Sequence, residues 1–385
     1  MKLAASCKTA GMTAPVIGRI TRSGRDVVDR SNHILLVDDE SPDSTEGFAA
    51  VMVQHGTSSA CRVPLAYHFS ELDYLCTGDV VMIDPRGFIR TLYRRHSAHN
   101  SILMTDQCNS FCLMCSQPPK LVDDRNRVAE HLQLIELIDP ETAELGITGG
   151  EPTLFDQDFL SIVDSCRRHL PKTALHVLTN GRAFFYRSFA RQLGEIGHPE
   201  LVLGIPLYSS IDSRHDFLVQ SAGAFEETVL GLHHLAEFGV AVEIRVVIHA
   251  QTYDHLPMLS EFICRNLPFA KHVALMGLEM FGFTRPNIDR LWVDPVEYQR
   301  ELQAAVEILA LGGMNVSIYN HQLCTLSREL WPFAVRSISD WKNVYFDECG
   351  GCSVRESCGG FFESAGFRRS AHIRPVPGAA IGDRS

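Results

Sequence analysis

Six short apolar segments recur about every thirty residues in the middle of the chain, and each is followed by a stretch with helical periodicity. This alternation is typical of repeated βα units, because parallel strands need helical crossovers between them. A closed barrel of this type has eight units, so six units predict an α/β fold in the form of a partial (β/α)6 barrel, with its chemistry at the C-terminal ends of the strands. The predicted strands are Ser101–Asp106, Glu144–Thr148, Ala174–Thr179, Leu201–Leu207, Val240–Ile248 and His272–Leu278.

The regions on either side of the predicted barrel have a different character. The N-terminal region has extended segments at Ile34–Val37 and Ala49–Gln54, a hairpin-like segment at Asp79–Tyr93, and an exposed loop over residues 40–47. After the sixth unit, Pro295–Leu311 predicts a helix, and a short irregular Cys-rich segment follows it. The predicted domains are residues 1–97, a small β-rich N-terminal domain; 98–290, the partial barrel; 291–369, the helix and a Cys-rich C-terminal extension; and 370–385, a flexible tail.

Composition excludes several classes of function. Of 385 residues, 45% are hydrophobic and 21% are charged, which predicts a globular protein. A net charge of −11 opposes binding to a phosphate backbone, so no nucleic-acid partner is expected. We expect no membrane association and a cytoplasmic location, because no apolar run reaches the roughly 20 residues that cross a bilayer and no secretory signal is present. In that setting, 12 cysteines in tight clusters indicate metal binding rather than disulfides.

The first cysteine cluster follows the first predicted strand, as Cys108-Asn-Ser-Phe-Cys112-Leu-Met-Cys115. The prolines Pro118-Pro119 exclude a long helix at this point. Thiolates are soft ligands that suit iron-sulfur clusters, zinc or copper(I), and a set of three leaves one coordination position for substrate or cofactor. The alternative is a helical stripe of three buried thiols, because this spacing is also i, i+4, i+7.

A Gly-Gly-Glu-Pro turn, Gly149–Pro152, comes one βα unit later, and together the two motifs resemble the signature of the radical S-adenosylmethionine (SAM) superfamily. The resemblance implies that Cys108, Cys112 and Cys115 hold a 4Fe-4S cluster whose fourth iron is chelated by SAM. It also implies that the turn contacts the SAM amino group. Paired glycines bring the backbone close to a ligand, and Glu151 can accept from an ammonium group. The implied chemistry is hydrogen abstraction by a 5′-deoxyadenosyl radical.

The same resemblance implies further SAM contacts. Met114 stands where the superfamily usually has an aromatic residue that packs on adenine. Asn180 and Ser209, after the third and fourth strands, correspond to contacts with the ribose and the methionyl carboxylate, and Arg245 could pair with that carboxylate. The alternative for each is an ordinary turn or strand residue, and no general acid or base is assigned among the 17 histidines. The predicted cofactor-binding residues are Met114, Gly149, Gly150, Glu151, Pro152, Asn180, Ser209 and Arg245.

A second cluster, Cys324 with Cys349-Gly-Gly-Cys352-Ser-Val-Arg-Glu-Ser-Cys358, supplies four thiols and could complete either a zinc site or a protein-ligated iron-sulfur cluster. The CxxCxxxxxC run resembles the C-terminal auxiliary-cluster extension of radical SAM peptide-modifying enzymes. Because Phe361 and Phe362 follow it in place of further cysteines, the resemblance implies the short form of that extension, with one auxiliary 4Fe-4S cluster.

The whole arrangement resembles the smaller of the two radical SAM maturases of the His-Xaa-Ser peptide system. That resemblance implies a ribosomally made precursor peptide as substrate, a sister radical SAM maturase, and an electron donor such as flavodoxin or ferredoxin. One alternative is a radical SAM enzyme acting on a small molecule or on RNA, although the acidic charge disfavours RNA. Another is a non-catalytic peptide-binding module stabilised by a four-thiolate zinc site.

Overall fold

The N-terminal region folds as a mixed β-sheet, as its extended segments predicted. In this computed structural model the described residues are 3–24, 27–37, 45–54, 63–70, 72–336 and 343–378, so most of the predicted loop at 40–47 lies outside them. The eight strands are β1 (Ala4–Ser6), β2 (Lys8–Ala10), β3 (Val16–Thr21), β4 (His33–Val37), β5 (Ala50–Val53), β6 (Leu65–Tyr67), β7 (Val80–Ile83) and β8 (Phe88–Tyr93).

The N-terminal sheet closes on itself. Its strand order is β1-β8-β7-β3-β4-β5-β6-β2, and the two edge strands, β1 and β2, are separated in sequence by Cys7 alone. The segment formed by β1 and β2 therefore pairs with β8 in its first half and with β6 in its second half. Among the described strands of this sheet, none is left with a free edge. The closed sheet surrounds a buried apolar core that includes Ile34, Met52 and Ile83.

The second sheet has seven parallel strands in chain order, and helices cover one of its faces. Along several of the strands buried side chains alternate with partly exposed ones, and the buried set packs against the helices. The strands are β9 (Asn100–Leu103), β10 (Glu144–Thr148), β11 (Ala174–Leu178), β12 (Leu201–Pro206), β13 (Ala241–Ile248), β14 (His272–Gly277) and β15 (Val316–Tyr319). The helices are α1 (Arg127–Leu137), α2 (Gln157–His169), α3 (Arg187–Ile196), α4 (Asp212–Val219), α5 (Ala224–Glu237), α6 (Leu256–Asn266), α7 (Ile288–Leu291) and α8 (Gln299–Leu311).

The six predicted strands are all present, with ends that differ by a few residues, and the predicted α/β class is confirmed. A seventh strand, β15, was missed by the sequence analysis, which assigned its residues to an irregular segment. Only Val316 and Ile318 of this four-residue strand are buried, so its apolar pattern is too short to stand out. The strand extends the sheet next to β14 and leads into the Cys-rich segment.

Two other features differ from the prediction. Helix α8 begins at Gln299 rather than Pro295, because Asp294 forms a turn with the N–H groups of Val296 and Glu297. The tail predicted to be flexible from Ser370 makes defined contacts as far as residue 378: Ser370 and Val376 are buried, and Ser370 donates to Asp294 at 2.7 Å.

In the described part of the chain, the helices are all too short or too polar to span a bilayer.

Candidate active site

The loop that carries the first three cysteines, residues 104–126, joins the C-terminal end of β9 to α1, and one carboxylate ties its two ends together. Asp124 accepts from the Thr105 hydroxyl and from the Asp106 N–H, both at 2.8 Å, and pairs with Arg127 at 3.2 Å. Burial raises the pKa of Asp124, but these bonds outweigh it and hold the pKa below its usual value. Charge-assisted hydrogen bonds therefore fix the base of this cysteine loop.

The paired glycines after β10 let the next turn lie against the cysteine loop. The N–H of Gly150 donates to the Thr105 carbonyl and that of Glu151 to the Gln107 carbonyl, both at 2.7 Å. A Cβ on Gly149 would lie 2.6 Å from the Thr105 oxygen. A Cβ on Gly150 would lie 1.9 Å from the Gln107 oxygen and 3.1 Å from Cβ of the adjacent cysteine, Cys108. Only glycine allows this approach, which brings the two predicted motifs together.

Glu151 is buried in this turn, and its two carboxylate oxygens carry unequal hydrogen-bond loads. Oε1 accepts from the N–H of Thr153 at 3.0 Å, from its hydroxyl at 2.6 Å and from the Thr179 hydroxyl at 2.7 Å. Oε2 accepts from the Asn180 N–H at 2.6 Å. Burial raises the pKa of Glu151, and these hydrogen bonds offset the rise only in part. Because a carboxylate has about four acceptor sites in all, Oε2 retains room for another donor such as an ammonium group.

Cys108, Cys112 and Cys115 are free, half-buried thiols. Burial raises the pKa of all three, to about 12 for Cys108, where the charge of Glu151 adds to the effect. The other two thiols raise the pKa of Cys112 further. No group of three or more His, Cys, Asp or Glu side chains among the described residues is arranged to hold a metal ion. Neutral, protonated thiols gain no electrostatic attraction from lying together. A bound cation stabilises the thiolate form and displaces the thiol protons.

Arg182, which the sequence analysis missed, ties the cysteine loop to α5 and to the segment before it. Its Nη1 donates to the Asn109 carbonyl at 2.9 Å and to the Ser221 hydroxyl at 2.9 Å, and its Nε pairs with Glu227 at 2.5 Å. Asn180 reinforces this contact, because its amide donates to the Asn109 side chain at 2.7 Å. In the sequence, Arg182 is marked only by its position two residues after Asn180, which follows the third predicted strand. That pattern is too common to indicate a functional residue.

The far half of the cysteine loop packs against a small apolar cluster around α4. Met114 is only 6% exposed and lies in this cluster with Leu113, Tyr208 and Leu218. Tyr208 is buried in this cluster, and burial raises the pKa of its hydroxyl, with Cys112 and Cys115 adding to the rise. The predicted contact of Met114 with adenine therefore stays a prediction, with the Tyr208 ring as a second apolar surface nearby.

Ser209, in the loop after β12, and Arg245, on β13, have other partners in this structure. Ser209 is buried and accepts from the Ile211 N–H at 3.0 Å, just before α4. Arg245 is in the middle of β13, with Nη1 at 3.1 Å from Glu243 and Nη2 at 3.2 Å from the Met276 sulfur. Their predicted contacts with SAM stay predictions.

Glu243, on β13, is the centre of a polar cluster that sequence analysis did not identify. It accepts from His272 at 2.8 Å and lies 3.5 Å from His176, which is two strands away on β11. Burial raises the pKa of Glu243, but the two histidines and Arg245 outweigh it and hold the pKa well below its usual value. Gly204 on the intervening strand makes this reach possible, since a Cβ there would lie 3.0 Å from His176 Nε2 and 3.0 Å from Arg245 Cδ.

The second cysteine set lines one cavity of about 310 Å³ between β15 and the end of the chain. Burial raises the pKa of Cys324 and Cys349, and neighbouring thiols of the set raise it further. The Cys358 sulfur accepts from the N–H groups of Leu323 and Gly360, both at 3.5 Å. The structure thus brings together residues that are 34 positions apart in sequence. The cysteines of this set are Cys324, Cys349, Cys352 and Cys358.

Comparison with known proteins identifies the part of the chain that holds the first cysteine set. Residues 102–263, which include the cysteine loop, the glycine turn and strands up to β13, match the radical SAM superfamily. The chain carries a radical SAM domain. The matched region ends before β14 and the second cysteine set.

Relatives of the radical SAM domain match only part of this chain. Over 174 residues, 42% of the chain, it is 27% identical to the Fe-coproporphyrin III synthase of Methanosarcina barkeri (strain Fusaro / DSM 804), and it spans 39% of the length of that relative. SuiB from Streptococcus suis, bound to S-adenosylmethionine, is similar in structure with a TM-score of 0.47 and 15% identity, over 60% of this chain and 52% of SuiB. The enzyme anSMEcpe with bound AdoMet has a TM-score of 0.45 and 18% identity, over 57% of this chain and 60% of its own.

The residues present in the radical SAM domain fit the cofactors of the superfamily, a 4Fe-4S cluster and SAM. Three thiolate donors on one short loop can ligate three irons and leave the fourth open. The glycine turn beside them gives close backbone access, and Glu151 Oε2 offers an acceptor for the SAM amino group. Of the predicted residues, the three cysteines, Gly149, Gly150, Glu151 and Asn180 are brought together at one edge of the sheet.

Proposed function

We propose that this radical SAM enzyme modifies a ribosomally made precursor peptide of the His-Xaa-Ser type. The observation that carries the proposal is the presence of two separate cysteine sets, three on the loop after β9 and four on one cavity after β15. The first set is what a radical SAM domain needs. The second set supports a metal site beyond that domain, as in the auxiliary-cluster extension that the sequence resembles.

In this proposal Cys108, Cys112 and Cys115 hold the 4Fe-4S cluster. The turn at Gly149–Pro152 receives the amino group of SAM through Glu151, and the predicted contacts of Met114, Asn180, Ser209 and Arg245 complete the SAM site. When bound, the cluster and SAM supply one-electron chemistry that generates a radical able to remove hydrogen from a substrate carbon.

The chain's own residues have two tasks around this chemistry. Asp124 and Arg182 hold the cysteine loop in place, which fixes where the substrate carbon must lie. The apolar cluster around Met114 and Tyr208 excludes water and stray hydrogen donors from one side of the thiols.

The partners in the proposal are the precursor peptide, a sister radical SAM maturase, and an electron donor such as flavodoxin or ferredoxin. The cysteines Cys324, Cys349, Cys352 and Cys358 hold an auxiliary 4Fe-4S cluster that either relays electrons or contacts the peptide. Free thiols at all four positions, on one apolar cavity, support this assignment.

The two cysteine sets have separable roles, which substitution tests. Cys112→Ala should abolish the formation of 5′-deoxyadenosine from SAM under strong reductant, because it removes a ligand of the first cluster. Cys352→Ala should leave SAM cleavage largely intact while hydrogen loss from a co-expressed His-Xaa-Ser peptide disappears in mass spectra. Cys264→Ala, at a half-buried thiol on α6 outside both sets, is the matched control and should change neither. SAM cleavage that survives Cys112→Ala would refute the cluster assignment.

A second candidate is a radical SAM enzyme that acts on a small molecule of the coproporphyrin class. The sequence relation to a Fe-coproporphyrin III synthase favours it, although that relation covers 42% of this chain. Incubation of the reduced enzyme and SAM with coproporphyrin compounds, followed by mass spectrometry, distinguishes the two: a new tetrapyrrole product supports the small-molecule reaction, and hydrogen loss from the peptide supports the first candidate.

A further inference from the structure

The last described residues, 370–378, are held against the cavity that contains the second cysteine set. We propose that this C-terminal strap is part of the metal site, and that its main-chain N–H group at Val376 stabilises the cluster bound by the four cysteines. The inference rests on the proposed auxiliary cluster, and it assigns a role to a segment whose composition predicted a flexible tail.

The strap directs one main-chain N–H group at a sulfur of the second cysteine set. Its sequence there is Arg374-Pro375-Val376-Pro377, and proline has no N–H. The Val376 N–H donates to the Cys352 sulfur at 3.4 Å. Arg374 lines the same cavity. The strap is therefore hydrogen-bonded to one of the four cysteines and lies beside the others.

Contacts on both sides of the Val376 N–H hold the strap in place. At its start, the Ser370 hydroxyl donates to Asp294 at 2.7 Å and the Ala371 N–H donates to the same carboxylate at 3.2 Å. At its end, the Val376 carbonyl accepts from the N–H of Ser353 at 3.0 Å and from its hydroxyl at 2.9 Å. Ser353 directly follows Cys352, so the strap pairs with the cysteine segment itself.

The charge of the proposed cluster explains why such donors matter. Four thiolates bring four negative charges into an apolar cavity, and each N–H aimed at a sulfur offsets part of that charge. Arg355 and Arg374, which line the same cavity, add positive charge beside it. Donors to sulfur favour the more negative, reduced state of an iron-sulfur cluster, so their removal should lower its reduction potential.

Chain truncation tests whether the strap belongs to the metal site. A chain that ends at Arg369 should fall from about eight irons to about four after anaerobic reconstitution, with the SAM-responsive cluster retained. A chain that ends at Gly378 keeps the strap and is the matched control, which should hold as much iron as the full chain. Full iron and an unchanged potential in the shorter chain would overturn the proposal.

A pair of substitutions isolates the hydrogen bond from the rest of the strap. Val376→Pro removes the N–H, and Val376→Ala keeps it while trimming a side chain that is 8% exposed. We expect Val376→Pro to lower the midpoint potential of the second cluster, or to lose that cluster, in redox titrations followed by electron paramagnetic resonance. Val376→Ala should leave both unchanged. Equal behaviour of the two variants would contradict the role of the N–H.

The metal content of the full chain distinguishes failure of this inference from failure of the proposed function. If the full chain holds iron at the first cysteine set and zinc at the second, the auxiliary iron-sulfur cluster is wrong, and loss of zinc on truncation at Arg369 still decides whether the strap completes the site. If the second set binds no metal in the full chain, both proposals are wrong.

Discussion

At the scale of single residues, the site depends on positions where one atom more does not fit. Gly150 is the sharpest case, because its added Cβ would lie 1.9 Å from the main-chain oxygen of Gln107, which cannot rotate away as a side chain would. The neighbouring contact is with Cys108, a ligand in the proposed cluster. The strain that a side chain at this position would cause therefore acts directly on the cysteine loop.

We expect Gly150→Ala to displace the cysteine loop and to lower iron at the first set and SAM affinity together, at a cost in stability of about 1–3 kcal/mol. Gly366→Ala is the matched control, since no atom lies within 4 Å of a Cβ there. Iron content after anaerobic reconstitution and SAM binding by equilibrium dialysis measure the effect. Normal iron and normal SAM affinity in Gly150→Ala would show that the loop tolerates the shift.

At the scale of elements, the parallel sheet holds a charge cluster that depends on four adjacent strands, β11 to β14. His176 on β11 and Glu243 on β13 reach each other across β12 because that strand has glycine at position 204. His272 on β14 completes the cluster, and its other ring nitrogen, Nε2, lies 3.0 Å from the Ser317 hydroxyl. The depressed pKa of Glu243 records how strongly these groups favour its charged form.

This cluster predicts a pH-dependent stability difference. A carboxylate whose pKa is lowered by folding stabilises the folded state above its unfolded pKa, and that stabilisation is lost as pH falls towards the folded value. The stability gap between the wild type and Glu243→Gln should therefore be largest near neutral pH and shrink below about pH 4.5, by up to about 1.4 kcal/mol per pH unit. Urea unfolding of the metal-free proteins at pH 7, 5 and 3.5 measures this gap. A gap that stays constant would contradict the prediction, and Glu261→Gln, at an exposed position on α6, should show almost none.

The elements also show what the sequence could and could not predict. Long apolar runs such as β13 and the spacing of Cys108, Cys112 and Cys115 are local patterns, so they indicated the sheet and the first cysteine set. Strand β15 was missed because two buried residues make too short a pattern. The Glu243 cluster and the C-terminal strap were missed because they depend on contacts between residues far apart in sequence, which propensity and spacing do not contain.

At the scale of the whole molecule, the closed N-terminal sheet, here called the N-terminal barrel, is hydrogen-bonded to α1, the first helix that packs on the parallel sheet. Arg19 on β3 donates through Nε and Nη2 to the Leu137 carbonyl, at 3.1 and 2.6 Å. That carbonyl is at the C-terminal end of α1, where helix carbonyls lack partners and carry partial negative charge. Two ion pairs, Arg90 with Glu130 and Arg95 with Asp139, both at 2.9 Å, flank the contact.

Arg19 should therefore couple the unfolding of the two parts. Arg19→Met keeps much of the apolar stem but removes two charge-assisted hydrogen bonds, so we expect the free energy of unfolding to fall by about 1.5–3 kcal/mol and the single unfolding transition to broaden or split. Because Arg19 is on β3 and donates to the end of α1 rather than to a residue of either cysteine set, iron content should be unchanged. Arg167→Met, which removes an exposed ion pair within α2, is the control and should cost less than about 1 kcal/mol. If Arg19→Met unfolds like that control, the two parts are held together by their apolar contacts and the flanking ion pairs. If Arg19→Met also loses iron, the N-terminal barrel supports the cysteine loop through α1, because Arg127 in the first turn of that helix pairs with Asp124 of the loop.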